Sequence, residues 1–380
     1  MRISSDFDGG KITCVACAEP GDIRLEIPRD SNSDFYQWFY FRLTGARALD
    51  CTLTIVNAGG ATYPSGWKDY RAVASYDRQD WFRVPTDFDG TVLTIRHAPA
   101  SDSVYYAYFA PYSMERHADL IGETLTSSLV RLEVLGATLD GQDIDLLHIG
   151  APTGTAGAAQ KRHCWVLARQ HPGETMAEWW MEGFLRRLLD GADPVARELL
   201  KRAVFHVVPN MNPDGSRRGN LRTNGAGANL NREWKDPALD RSPEVFLVRR
   251  KMADTAVDFC LDVHGDETIP HNFLIGTSGI PSLTEMQTTL HGRYAEALCR
   301  ASPDFQTAHG YPQNRTGTAN LTMCANYVAE TFGCLALTLE MPFTDTADAP
   351  DQRAGWSPAR CRKLGGANLD AILAVAETLR

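Results

Sequence analysis

Apolar and polar positions follow one pattern in the first third of the chain and another in the rest. Up to residue 115 the apolar segments are short, and they either alternate or are rich in aromatics. They are Phe35-Tyr36-Gln37-Trp38-Phe39-Tyr40-Phe41 and residues 49–56, 91–95 and 104–109. Turn-forming runs separate them, among them Asn57-Ala58-Gly59-Gly60, Tyr63-Pro64-Ser65-Gly66 and Asp87-Phe88-Asp89-Gly90. Strands send successive side chains to opposite faces, so this spacing predicts an N-terminal β-sandwich domain over 1–115. After Pro111 long helical stretches alternate with compact apolar runs. Helices are predicted over 174–190, 193–203, 243–256, 282–301 and 367–380. Strands are predicted over 130–135, 143–149, 163–169, 203–209, 257–263, 271–276 and 334–340. That alternation predicts an α/β domain over 116–380, a mixed, largely parallel sheet flanked by helices.

In such sheets, sites form beyond the carboxyl ends of the strands. His171, Asn210, His264 and Glu340 all fall at or just past predicted strand ends. His171 and Glu174 form an HxxE between the apolar run Cys164-Trp165-Val166-Leu167-Ala168 and a helix. In that helix Met176, Trp180, Phe184 and Leu188 recur at a spacing of about four, a stripe that fits core packing. Catalytic zinc is commonly held by three protein ligands, and two histidines with a carboxylate are a common set. His171, Glu174 and His264 would supply such a set for one Zn2+ ion. Taken singly these residues are weak signals. An HxxE recurs by chance, His264 suits a core histidine, and Glu340 suits an exposed strand end. Their shared placement strengthens the metal reading.

Charge and composition narrow the function classes. The chain has 380 residues and a net charge of -9, which argues against a nucleic-acid surface. The first residues lack the basic start and apolar core of a signal peptide. No run approaches the roughly 18 apolar residues that span a membrane. Nine cysteines, most of them in apolar runs, suit reduced thiols and a cytoplasmic setting. Cys14-x-x-Cys17 has no matching second pair and fits strand alternation better than half a zinc site. Oligomeric state is not legible.

Between residues 209 and 234 lies a Gly/Asn-rich loop, poor in charge, that carries Arg222 and Arg232. Guanidinium forks pair with carboxylates in a bidentate way. An exposed loop with scattered arginines is the plainer alternative, and the adjacent metal candidate weighs against it. His171-Pro172-Gly173-Glu174, Asn212-Pro213-Asp214-Gly215, Gly219-Asn220-x-Arg222, Leu230-Asn231-Arg232-x-Trp234, His264-Gly265 and Thr338-Leu339-Glu340 occur in that order. As an ordered set they resemble the zinc metallocarboxypeptidases, and most of all the cytosolic carboxypeptidase branch. Trp38-Phe39-Tyr40-Phe41, Pro64-Ser65-Gly66-Trp67, Tyr76-Asp77-Arg78 and Phe109-Ala110-Pro111-Tyr112-Ser113 are similar to that branch's extra β-domain.

The resemblance implies roles. His171, Glu174 and His264 would hold zinc, and Arg222 would stabilise the oxyanion. Asn231 and Arg232 would grip the terminal carboxylate of a peptide or protein substrate. Glu340 would be general base to the attacking water and then general acid to the leaving amine. Three departures stand out. Asn229 occupies a position where many members have an aspartate behind the first zinc histidine. The family's substrate-facing tyrosine is vacant: ungapped counting reaches Thr318, while Tyr311 and Tyr327 are nearby but unaligned. Related enzymes remove acidic residues from protein tails, which calls for a basic pocket residue. Arg315 is the nearest candidate, against the simpler reading of a solvated loop arginine. An alternative activity is a zinc amidohydrolase acting on small acylated amino acids with the same residues. A third reading is a binding protein with residues 35–41 as its surface, although strand alternation favours a sandwich core for that run.

Overall fold

The computed structural model describes residues 1–150 and 161–379, so the last residue of the helix expected over 367–380 lies outside the described residues. Residues up to 107 form two five-stranded sheets. One runs Arg2–Ser4, Tyr40–Thr44, Ser103–Ala107, Val73–Ser75, Phe82–Arg83 in spatial order, antiparallel throughout. The other runs Thr13–Ala16, Ile23–Glu26, Cys51–Ile55, Leu93–His97, Thr86–Phe88. Alternate residues such as Leu53, Ile55, Leu93 and Ile95 turn inward and share one core with Phe39, Phe41 and Tyr106. The aromatic run is therefore mostly interior: Trp38, Phe39, Tyr40 and Phe41 are buried, and Phe35 and Tyr36 are half-buried.

A seven-stranded mixed sheet follows. Its spatial order is Val130–Ala137, Asp143–Ile149, Ala203–Val208, Arg162–Ala168, Phe259–Asp266, Leu335–Pro342, Phe273–Ile275. The four inner strands from Ala203–Val208 to Leu335–Pro342 are parallel, and the outer three pair antiparallel. All seven expected strands form. The inner four are buried nearly end to end, as strands covered on both faces must be.

Four expected helices form within a few residues of their predicted limits: Met176–Leu188, Pro194–Arg202, Pro243–Thr255 and Glu285–Ala301. Their starts are chemically marked. Asp193 accepts from Ala196 N ahead of Pro194, and Thr284 and Gln287 form a reciprocal capping box. Three helices were missed, Met114–Leu125, Pro213–Arg218 and Cys324–Phe332. In the first, two of the four buried positions are His117 and Thr124, which weakens the apolar stripe. The C-terminal helix, Pro358–Ala376, starts nine residues earlier than expected and runs straight through Gly365-Gly366.

Those glycines serve close approach. A Cβ on Gly365 would sit 2.1 Å from Trp180 O, and one on Gly183 would sit 2.0 Å from Arg362 O. The C-terminal helix thus lies backbone to backbone on Met176–Leu188. On that same helix, buried Glu178 accepts from His117 Nδ1 at 2.6 Å and Arg169 Nη1 at 2.6 Å. Glu178 and Asp145 hold the His117 imidazole up at about 9, against burial, which pulls it down.

Two outcomes are expected. Gly365→Ala should lower unfolding stability by about 1–3 kcal/mol, because no rotamer moves a Cβ off a backbone oxygen. Gly122→Ala, in open space within Met114–Leu125, should raise it by about 0.5–1 kcal/mol. Equal denaturation midpoints for the two variants would contradict the packing argument. Separately, a raised folded-state pKa means His117 stabilises fully below its unfolded value near 6.5. That contribution, on the order of 3 kcal/mol, fades as pH rises through about 9. The stability gap between wild type and His117→Gln should narrow over that window, and a gap constant with pH would refute it.

Candidate active site

The turn between Arg162–Ala168 and Met176–Leu188 is closed by its own side chain. Arg169 adopts a left-handed backbone (φ 57°) and donates Nε and Nη2 to Pro172 O at 3.2 and 2.7 Å. Its Nη1 reaches Tyr112 O and Glu178, which anchors the turn to the rest of the domain. Gly173 is required there, since a Cβ would lie 2.8 Å from Leu221 O. Held this way, His171 and Glu174 point to one place. His264, on the adjacent parallel strand, points there too.

Three residues converge. His171 Nδ1 lies 2.7 Å from Glu174 Oε1, His264 Nδ1 lies 2.8 Å from Glu174 Oε2, and the two Nδ1 atoms are 3.2 Å apart. Each ring is oriented from behind. His171 Nε2 donates to Asn229 Oδ1 at 3.0 Å, and His264 Nε2 donates to Asp262 Oδ2 at 2.8 Å. With Nε2–H committed outward, each Nδ1 turns its lone pair inward, towards the Glu174 carboxylate. Only a proton or a cation satisfies such a set. Asp262 and Glu174 accordingly raise the proton affinity of His264 well above the usual range, against burial. Burial, and then the Arg222 guanidinium, hold His171 down at about 4. Among the described residues this is the one cluster of three His, Cys, Asp or Glu donors close enough to share an ion. The set fits zinc, which takes imidazole nitrogen and carboxylate oxygen together.

Asp262 was missed by sequence reasoning. It stands two residues before His264, on the same strand face, and also accepts from Gln170 Nε2 at 2.6 Å. Gln170 Oε1 in turn accepts from Trp234 Nε1. An Asp-x-His in a buried strand was the available signal.

His171 and Glu174 sit in the wall of a cavity of about 630 Å³, which Tyr63, Arg222, Asn231, Arg232, Tyr311 and Glu340 also line, with His264 just behind it beside Gly265. Glu340 is paired in register with His264 across parallel strands. Its side chain is buried and its Oε2 has no hydrogen-bond partner. Burial raises its carboxyl well above the usual range, His264 opposes, and Glu174, Asp266 and Glu267 push the same way as burial. Burial also raises Glu267 to about 8. Asn231 Oδ1 accepts from Cys324 N at 2.8 Å, which docks the helix Cys324–Phe332 beside the site. Arg222 stands over the rings of Tyr63 and Phe35, with Nη1 3.9 Å from Glu174 Oε1. Among the described residues the Arg232 guanidinium donates only to the neighbouring Asn231 O, and burial, then Arg222, lower its proton affinity.

Several expected residues lie elsewhere. Arg315 is exposed and borders a separate cavity with Leu335 and Leu337, so the structure does not bring it to the site. Asn210 is not in the cavity wall; its amide donates to Glu178 and Ser216 beneath the turn. Thr318 is exposed and bonds back to Arg315 O. Tyr327 packs against Trp234 under Arg249. Tyr311 alone of these three lines the cavity, with its hydroxyl donating to Asp266.

Asn229→Asp should tighten zinc binding, because a carboxylate behind His171 makes the ring a stronger donor. Outer partners of this kind are worth roughly 10–100-fold in affinity. Chelator competition on the two proteins measures it, and equal affinities would count against the role given to residue 229.

Comparison with known proteins identifies the family. Residues 3–109 match the cytosolic carboxypeptidase N-terminal domain family, and residues 122–348 match the zinc carboxypeptidase family. The chain is 52% identical over 379 residues to an uncharacterized protein of Zymomonas mobilis, covering 100% of this chain and 97% of that one. It is 28% identical over 327 residues to cytosolic carboxypeptidase 1 of Xenopus laevis, covering 73% of this chain but 26% of that longer protein. Among solved structures, a metallo-carboxypeptidase from Burkholderia cenocepacia superimposes with a TM-score of 0.96 at 51% identity, over 99% of both chains. One from Pseudomonas aeruginosa does so with a TM-score of 0.96 at 44% identity, over 100% of both. The chain belongs to the zinc carboxypeptidase family, in its cytosolic carboxypeptidase branch, and is a metal-dependent hydrolase.

Proposed function

We propose that this protein is a zinc-dependent carboxypeptidase that hydrolyses the C-terminal peptide bond of peptides or protein tails. One observation carries the reading. Arg222 and Arg232 line the same cavity as His171 and Glu174, and among the described residues Arg232 has no carboxylate partner. An exposed guanidinium on the cavity rim, beside a second guanidinium, is poised for an incoming anion, and a peptide's free C-terminus is one. The Pseudomonas aeruginosa relative is described in complex with (2-guanidinoethylmercapto)succinic acid, a dicarboxylate, which is consistent with such a clamp.

Zinc held by His171, Glu174 and His264 would make water acidic near pH 7 and polarise the scissile carbonyl. Arg232, with Asn231, binds the terminal carboxylate and so fixes which peptide bond is presented. Arg222 stabilises the charge that develops on the carbonyl oxygen, since its guanidinium keeps its proton at any working pH. Glu340 takes the proton of the attacking water at its unpaired Oε2 and passes it to the leaving amine. Tyr311 is the tyrosine we assign to face the substrate. The chain divides near residue 115 into a β-sandwich domain and the catalytic domain. Nine free thiols favour a reducing, cytoplasmic setting. Among the described residues no helix is long and apolar enough to cross a membrane.

The residue removed is less constrained. Ile275, Met323, Asn326 and Thr338 add neutral lining, Asp266 and Glu267 add acidic lining, and with Arg315 outside the described lining Arg222 and Arg232 are its only described arginines or lysines. The amidohydrolase alternative uses the same donors and draws on no separate observation.

A residue-release assay on peptides with free or amidated C-termini tests the proposal. Free acids should be cleaved and amides spared. Glu340→Gln should lower kcat roughly 10²–10⁴-fold with KM little changed. Equal cleavage of the amides would remove the carboxylate clamp, and activity that survives both Glu340→Gln and a zinc chelator would refute the mechanism.

A further inference from the structure

The loop that carries Arg222 is held from the other end of the chain. Asp30, 5% exposed, belongs to the N-terminal region and lies in a tight loop, its own N–H bonded to Phe35 O at 2.7 Å. Its carboxylate reaches across to residues 221–223. Oδ1 accepts from Leu221 N at 2.6 Å, while Oδ2 accepts from Arg222 N at 2.8 Å, Thr223 N at 3.0 Å and Thr223 Oγ1 at 3.1 Å. Four donors on one carboxylate, three of them successive backbone N–H groups, form an anion nest whose anion is a side chain of this protein.

The surroundings reinforce the grip. Asn220 Oδ1 accepts from Ser31 N and Lys11 Nζ, both N-terminal, and Asn32 Nδ2 donates to Gly225 O. Phe35 and Tyr63, also N-terminal, lie under the Arg222 guanidinium. Leu221 O accepts from Gly173 N at 2.8 Å, so the same loop braces the turn between His171 and Glu174. Arg222 is therefore fixed at its backbone by Asp30 and at its tip by two aromatic faces, all from the region that contributes no metal donor.

We propose that Asp30 is a positioning residue for Arg222, and that the N-terminal domain completes the active site by fixing this arginine. The proposal rests on the reading that Arg222 stabilises developing charge on the substrate. Losing an oxyanion donor outright typically costs roughly 10²–10³ in turnover. A donor that is retained but loosened should cost less.

The experiment is a double-mutant cycle of Asp30→Asn with Arg222→Gln. It uses full-length zinc-loaded protein and a free-acid peptide that the wild type cleaves. An amide at residue 30 keeps the shape of the side chain but turns an NH2 group towards backbone N–H groups. Asp30→Asn alone should lower kcat about 10–100-fold with KM within about 3-fold. In the Arg222→Gln background the same change should cost less than about 3-fold, because its target is gone. Amide hydrogen exchange at residues 221–223 should quicken in Asp30→Asn, with zinc content unchanged. An equal loss in both backgrounds, or an unchanged kcat, would overturn the proposal. If Arg222→Gln itself leaves kcat intact, the oxyanion reading fails, while exchange at 221–223 still reports whether Asp30 holds the loop. Should Asp30→Asn not fold, Thr223→Val removes one of the four donors. It should lower kcat about 3–10-fold in the Arg222 protein alone, and the same loss in Arg222→Gln would refute the idea.

Discussion

Everything at this site depends on electron pairs gathered in a dry place with too few protons to go round. Asn229 and Asp262 pin the outer nitrogens of two imidazoles, and that single constraint turns both inner lone pairs on the Glu174 carboxylate. The surrounding fold keeps the arrangement from relaxing. Parallel pairing sets His264 beside Glu340, and Arg169 closes the turn that carries His171 and Glu174. Relaxation would expose buried carboxylates to an apolar interior, which costs far more than holding them around a cation.

The cavity is a joint product of the two halves of the chain. The α/β half supplies the donors, Glu340 and both arginines. The β half supplies Tyr63 and Phe35 beneath Arg222 and Asp30 behind it. Gly66 belongs to the same contact: a Cβ there would meet Glu267 O at 2.7 Å. The β-sandwich is thus a wall of the site rather than an appendage. Its aromatic run 35–41 is mostly buried, consistent with sandwich core and not with a docking surface.

Much of this was legible because period and position suffice for it. Alternation gave the sandwich, compact apolar runs gave all seven strands of the larger sheet, and strand ends gave His171, His264 and Glu340 their common address. Contacts distant in sequence left no such trace. Nothing local to Asp30 announces that it caps residues 221–223, and Tyr63 reads as a turn residue. Asp262 hid inside an apolar strand, where a buried carboxylate is intelligible only once its histidine and glutamine partners are known. Gly365-Gly366 resembles a helix break until the crossing with Met176–Leu188 is seen. Arg315 shows the limit of sequence proximity: Gln313 and Asn314 line the site cavity, while the exposed Arg315 just after them borders the adjoining one.

The order of these parts along the chain bears on biosynthesis. Asp30, Tyr63, His171, Arg222 and His264 all precede the strand Leu335–Pro342, which carries Glu340 and pairs between Phe259–Asp266 and Phe273–Ile275. A growing chain on the ribosome therefore acquires the three converging donors first and Glu340 almost last. Until that strand inserts, the sheet lacks the neighbour that pairs with His264 and the buried carboxylate of Glu340. The wall of the cavity is therefore complete only when synthesis is nearly finished.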